Sequence, residues 1–250
     1  MAVLGIDIGG SGIKGAPVDV ETGTFLENRC RIPTPSPGNP DQVIEVIRRI
    51  VNHFDWEGKI GAGFPGVVRH GVIQTAANVS KEWVGEDLVA LIEQATGCQA
   101  VVLNDADAAG LAEMRFGEGK QFDEDYVLFL TIGTGIGSAL FVKGQLWPNS
   151  ELGHLQVRGK DAEHRAGDGV RKEKDLSWKS WGKKLQEVLQ VYDFLFSPDV
   201  IILGGGVSKK FKKYSKYLKG IDAKVIPAGL RNQAGIVGAA MAAEESLIID

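Results

Sequence analysis

Apolar residues fall at Val43, Ile44, Ile47, Ile50 and Val51, a spacing of three and four that predicts an amphipathic helix over Asp41–Phe54, opened by Pro40-Asp41. A longer helix over Trp178–Phe196 carries Trp181, Leu185, Val188, Leu189, Tyr192 and Leu195 along one face. Elsewhere the apolar residues come as short runs that stop at glycine. Val3–Ile8 ends in Gly9-Gly10, Tyr126–Ile132 ends in a glycine turn, and Val200–Leu203 enters Gly204-Gly205-Gly206, the pattern of buried strands followed by tight turns. Ile13–Val20 and Gly137–Val142 read as the return strands of the first two. Lys59–Gly63 and Ala100–Leu103 are further strands, with helices over Asp87–Thr96, stopped by Gly97, and over Asp105–Phe116. Pro33–Pro40 is a loop, Asp161–Lys174 is polar and irregular, and Ala234–Ser246 is a closing helix rich in alanine.

The order strand, glycine turn, strand, helices occurs twice. This is a duplication at domain scale, since a solenoid would repeat every 20–50 residues or so. Two α/β domains would enclose a cleft, and open α/β sheets bind ligands beyond the carboxyl ends of their strands.

Composition narrows the class. The chain has 250 residues, 44% hydrophobic and 24% charged, as in ordinary soluble proteins. Its 33 glycines are clustered, so the backbone bends tightly or admits a ligand there. A net charge of −4 argues against a surface given over to nucleic acid. Cys30 and Cys98 lie far apart without metal-ligand spacing, which suits a reducing compartment. No apolar run is long enough to span a bilayer, and Met1–Ile6 enters a strand pattern with no basic leader, so a cytoplasmic protein is expected.

Candidate chemistry concentrates at the turns. Asp7 ends the first strand, and Gly9, Gly10, Ser11, Gly12 and Lys14 follow. Such a turn aims backbone N–H groups into one concavity that suits phosphate oxygens, and a carboxylate beside it can hold Mg²⁺ directly or through water. An ordinary hairpin turn would also use glycines. Thr131, Gly133, Thr134, Gly135 and Ser138 repeat the chemistry in the second half, and two such turns could grip one polyanion from both sides. Neither matches a Walker A loop or a dinucleotide fingerprint. Gly204 and Gly205 would let a flat donor group lie against the backbone, or they simply turn the chain. Asp105, between a strand and a helix, reads either as a helix N-cap or as the base that accepts a proton from a sugar hydroxyl. The flanking glycine turns favour the base. Asp107 reads as first-turn helix charge. Glu151 and His154, three apart on a loop, can hydrogen-bond two sugar hydroxyls, and Asn78 can add an amide.

Asp7-Ile8-Gly9-Gly10, Gly63-Phe64-Pro65-Gly66, Asn104-Asp105-Ala106, Gly133-Thr134-Gly135-Ile136-Gly137 and Glu151-Leu152-Gly153-His154, in this order, resemble the ROK family (repressors, open reading frames, sugar kinases). The resemblance covers nearly the whole chain. It implies the actin-like ATPase fold, two RNase H-like α/β domains around a cleft, here residues 1–105 closed by a C-terminal helix over 234–250, and residues 106–233. It implies Asp105 as general base, Asn104, Glu151 and His154 as sugar contacts, and the glycine turns as donor-phosphate loops. A homodimer is expected from relatives.

One segment departs from the family. Zinc-containing members follow E-x-G-H with C-x-C-G-x-x-G-C-x-E, whereas His164–Glu173 holds no cysteine, so no zinc site is expected. Glu173 falls where the family's last sugar-binding glutamate would be. The cysteine-free segment, with Ser177-Trp178-Lys179-Ser180-Trp181-Gly182 after it, resembles the polyphosphate-dependent glucokinases. Arg158, Lys160, Arg165, Arg171, Lys172, Lys174, Lys179, Lys183 and Lys184 lie in one stretch, and Lys209, Lys210, Lys212, Lys213, Lys216 and Lys219 follow the third glycine turn. A linear polyanion would need such a track. The expectation is phosphoryl transfer from polyphosphate, and also ATP, to the 6-hydroxyl of glucose. The alternatives are a strictly ATP-dependent hexokinase or N-acylhexosamine kinase, a sugar-responsive repressor, disfavoured because Asp7 comes too early for a preceding helix-turn-helix, and an actin-like filament or chaperone ATPase, which needs large insertions.

Overall fold

The computed structural model describes residues 1–230 and 233–245. They group into two compact units, Met1–Ala112 with the stretch from Gln233, and Glu113 up to the second crossing.

In the first unit, β1 (Ala2–Gly9) and β2 (Gly12–Asp19) form an antiparallel hairpin edged by β3 (Thr24–Phe25) and β4 (Cys30–Ile32). Next comes α1 (Pro40–His53), whose Asn39 and Gln42 make a capping box while Pro40 sets the first turn. β5 (Ile60–Phe64) pairs parallel to β1. A small hairpin, β6 (Val68–Arg69) and β7 (Val72–Ile73), leads to α2 (Leu88–Thr96). β8 (Ala100–Asn104) then pairs parallel to β5, and α3 (Asp105–Phe116) follows without a break. Leu4, Ile6, Ile8, Val43, Ile47, Ile50, Phe64, Trp83 and Ile92 close one core, which joins the sheet to the apolar faces of α1 and α2.

The second unit repeats this plan. β9 (Tyr126–Ile132) and β10 (Ile136–Val142) are antiparallel, with β11 (Gln145–Trp147) at the edge. A short ribbon, β12 (Gln156–Val157) and β13 (Lys160–Asp161), precedes α4 (Ala162–Ala166), α5 (Asp168–Glu173) and α6 (Trp178–Phe196). β14 (Val200–Gly204) pairs parallel to β9, then come α7 (Phe211–Tyr214) and β15 (Lys224–Pro227), parallel to β14. Both sheets therefore read antiparallel, parallel, parallel across the same four central positions. The chain ends its described course in α8 (Ala234–Glu244), which lies on the first unit's sheet beside α3. Expected helix residue Ser246 and the expected span 246–250 fall outside the described residues, as do Arg231 and Asn232.

One stretch differs from expectation. Asp161–Lys174 is two short helices, not irregular chain. Their few apolar residues are decisive: Ala162 and Ala166 are buried, and Trp181 Nε1–H of α6 donates to the Ala166 carbonyl at 2.9 Å. Packing on α6 makes them helical, where five- and six-residue helices would not persist alone. Among the described residues no helix is long and apolar enough to cross a membrane.

Candidate active site

The first unit carries one half of the candidate residues. Asp7 leaves β1 with its Oδ2 accepting from Lys14 Nζ at 2.7 Å, so the two residues read as metal and donor contacts are an ion pair. Gly235, in the first turn of α8, lies against the Asp7 carboxylate, where the positive end of a helix favours a negative group. The carbonyls of Gly9 and Ser11 are taken by protein donors, Thr34 Oγ1 and Arg31 Nη2. Arg31 was not anticipated. It sits opposite Lys14 in register and stacks over Gly12, adding a second cation to the turn. Asn78, exposed and with φ of 62°, lies against Gly10, where any Cβ would crowd it.

Asn104 and Asp105 divide the work at the start of α3. Asn104 is only 4% exposed. Its Oδ1 accepts from the N–H groups of Ala106 (2.8 Å) and Asp107 (3.1 Å), and its Nδ2 donates to the Gly66 carbonyl at 3.1 Å. Asn104 is thus the N-cap, and that reading of Asp105 is corrected. Asp105 stands half-buried at the first helical position, with its backbone close to Gly63. Asp107 lies in the first turn of α3, as expected, and is fully buried.

The second unit carries the other half. Gly133 and Thr134 are exposed at the end of β9. The turn is braced from behind: Gly133 N–H donates to the Gly135 carbonyl at 3.0 Å, and Gly169 N–H donates to the Gly133 carbonyl at 3.1 Å. Ser138 is not a hydroxyl of this turn. At 1% exposure it bonds the Ser150 carbonyl and the Leu152 N–H, so it pins the segment that bears Glu151 and His154 to β10. Tyr192 of α6 holds the same segment through Leu152 O at 2.6 Å, and burial pushes its phenol well above the usual range.

Around His154 the structure gathers three carboxylates. Nδ1 meets Asp161 Oδ2 at 3.1 Å, Nε2 lies 3.8 Å from Glu151, and Glu163 is 4.0 Å away. The Asp161 bond, with the neighbouring acids, raises the imidazole above its ordinary value. Burial raises the Glu151 carboxyl, against the pull of His154. Glu163 also accepts from the Ile136 N–H of the glycine turn at 3.4 Å. Glu173, by contrast, is exposed at the end of α5, while Glu163, ten residues earlier, is one of the three carboxylates around His154. Nothing in the sequence marked Glu163 or Asp161, because their position depends on the unforeseen α4.

The third turn needs its glycines for internal reasons. Gly204 lies against the Phe129 ring, and Gly205, with φ of 73°, lies against the Ile132 backbone. The side on which a Cβ would lie is filled by the sheet at both; Gly204 is buried and Gly205 half-buried, whereas Gly206 is exposed with nothing near its Cβ position.

Among the described residues no three metal-ligating side chains gather to hold an ion unaided. An Mg²⁺ at Asp7 would take its other ligands from water and donor phosphates. One carboxylate with such ligands fits that ion.

Comparisons with known proteins agree with this layout. The ROK family model matches residues 3–171. Over 240 residues the chain is 48% identical to a polyphosphate glucokinase of Mycobacterium tuberculosis, covering 96% of this chain and 90% of that one. The crystal structure of an inorganic polyphosphate/ATP-glucomannokinase from Arthrobacter sp. strain KM is 44% identical and superposes with a TM-score of 0.93, covering 98% and 99% of the two chains. A ROK family glucokinase from Streptomyces griseus, in complex with glucose and AMPPNP, is 26% identical with a TM-score of 0.82, covering 98% and 100%. The fold is thus the actin-like ATPase fold of these sugar kinases, and with the match running through both glycine turns and the Glu151–His154 segment, the protein belongs to the ROK family.

Proposed function

We propose that this chain is a glucokinase that transfers a phosphoryl group from inorganic polyphosphate, and also from ATP, to the 6-hydroxyl of glucose. The observation that carries the reading is the 48% identity to a polyphosphate glucokinase across 96% of the chain. Asp105 accepts the proton as the hydroxyl oxygen forms its bond to the terminal phosphorus. The bond from that phosphorus to the bridging oxygen breaks, releasing glucose 6-phosphate and a donor one phosphate shorter. That Asn104 and not Asp105 caps α3 supports this role. Glu151, His154, Asn78 and the unforeseen Glu163 bind sugar hydroxyls, and Asn104 orients the start of α3. Gly9 to Gly12 with Lys14, and Thr131 with Gly133 to Gly135, hold donor phosphates, and the turn of Gly204, Gly205 and the exposed Gly206 lies beside the donor. Mg²⁺ at Asp7, when bound, neutralises charge on the transferred group. The rest of the rate comes from positioning and preorganised electrostatics.

A purified sample given glucose, Mg²⁺ and polyphosphate without nucleotide makes glucose 6-phosphate. No product from polyphosphate, with product from ATP, leaves a strictly ATP-dependent hexokinase, the second reading favoured by the likeness to the Streptomyces griseus enzyme. Mannose belongs in the same assay, because the Arthrobacter relative is a glucomannokinase. The working form is a homodimer in the cytoplasm; sedimentation giving the 26.9 kDa of one chain would refute the dimer.

A further inference from the structure

The chain leaves the Glu151–His154 segment through a two-residue hairpin. Arg158 and Gly159, with φ of 52° and 72°, close β12 on β13, the left-handed pair that a tight antiparallel turn requires. That turn sets Gln156 opposite Asp161, and a slip of one residue would swing Asp161 to the other face. In this register Gln156 Nε2 donates to Asp161 Oδ1, and His154 Nδ1 lies 3.1 Å from Asp161 Oδ2. Both carboxylate oxygens thus serve side chains that precede Asp161 in the chain. Asp161 stands at the N-cap of α4, where an Asp ordinarily accepts from its own helix, as Asp87 does for α2. Asp161 makes no such bond; its carboxylate is given to the imidazole instead.

The chemistry of the pair orients the ring. The bond to His154 keeps the Asp161 carboxyl below its ordinary value, so it is ionised and can only accept. The proton between them therefore sits on Nδ1, and Nε2 is the ring atom left for a ligand. Nε2 lies 3.8 Å from Glu151, too long for a hydrogen bond and wide enough for one hydroxyl to meet both groups. Glu163, 4.0 Å from Nδ1, already accepts from the Ile136 N–H. His164, exposed, lies 3.9 Å from Asp161 and 3.7 Å from Glu163. Of the three carboxylates around His154, only Asp161 is within hydrogen-bond reach of the ring, so the Nδ1 proton is set by Asp161.

We propose that Asp161 is a positioning residue for sugar binding: through its bond to Nδ1 it holds the His154 ring with Nε2 facing the sugar, and so sets how tightly one sugar hydroxyl is bound. This rests on the reading of Glu151 and His154 as sugar contacts and deepens it. Asp161 acts through His154 and not on the sugar itself. An Asn at position 161 can offer its Nδ2–H to Nδ1, which moves the ring proton to Nε2 and reverses the polarity that a hydroxyl meets.

The test uses the full chain with ATP as donor. Wild type, Asp161→Asn, His154→Gln and Gln156→Ala are compared on glucose and on its 1-, 2-, 3- and 4-deoxy analogues, all of which keep the 6-hydroxyl. Asp161→Asn raises KM for glucose about tenfold and leaves kcat within about threefold, since the base and the donor turns are untouched. The analogue lacking the hydroxyl that meets Nε2 changes by less than about twofold, and His154→Gln singles out the same analogue. Gln156→Ala, which removes the other side-chain partner of Asp161, gives a smaller loss with the same pattern and carries the test should Asp161→Asn not fold. An unchanged KM for glucose, or equal losses on all five sugars, overturns the proposal and leaves the kinase reading standing. If no hexose is phosphorylated, the proposed function fails, and calorimetric Kd values of the same proteins for the same sugars decide this inference: the same pattern of losses supports it, and equal losses or no glucose binding overturns it.

Discussion

At the scale of single residues, the start of α3 separates two neighbouring side chains by task. Asn104 spends its amide on two helix N–H groups and on Gly66, so the carboxylate of Asp105 is not needed as a cap. Asp105→Ala should therefore fold as the wild type does and lose about 10²–10⁴-fold in kcat with glucose, the range a positioned base contributes. Near-normal turnover would place the base elsewhere. His154 gives a second test. Its folded pKa lies above the ordinary 6.5, chiefly through the Asp161 bond, so the pairing stabilises the fold fully below that ordinary value and is lost as pH rises through the raised one. Asp161, lowered by the same bond, loses its share as pH falls through its own depressed value. An NMR titration should show His154 titrating at lower pH in Asp161→Asn than in the wild type; an unchanged midpoint would mean the pair is not formed in solution.

At the scale of elements, α8 rests on its sheet and on α3 through small residues. A Cβ at Gly61 would overlap the Ala239 carbonyl, and one at Gly238 would overlap the Ala108 carbonyl. Gly61→Ala should thus lift α8 from β5 and cost roughly 1–3 kcal/mol, read as a lowered urea midpoint, because overpacked cores relax only partly. An unshifted midpoint would show that α8 can move without loss. The short helices α4 and α5 illustrate the reverse case. Their sequence is polar, yet Ala162, Ala166 and Trp181 draw them onto α6, and only then do Asp161 and Glu163 reach His154.

At the scale of the whole molecule, one buried carboxylate links distant parts of the second unit. Glu113, fully buried in α3, accepts from the N–H groups of Glu118 (2.9 Å), Gly229 (2.6 Å) and Leu230 (3.0 Å). Glu113→Ala leaves three backbone donors without their acceptor and should cost about 3 kcal/mol or more in thermal or chemical unfolding, with Glu113→Gln intermediate. Equal stability of the three proteins would mean water replaces the carboxylate. The matching strand order of the two sheets is the large-scale counterpart of the repeated glycine turns.

The chain by itself determined the elements with strong periodicity, the duplicated strand–turn–strand layout and the family. Apolar spacing and clustered glycines are local signals that survive without knowledge of the partner surfaces. Tertiary structure alone decided which glycines are crowded by the sheet and which stand open, as Gly204 and Gly206 do on one turn. It also decided that Glu163 and not Glu173 joins His154, that Ser138 braces a loop, and which of the basic residues already have carboxylate partners. Each of these depends on contacts between residues distant in sequence, and charge or hydroxyl identity is the same whether such a contact forms or not.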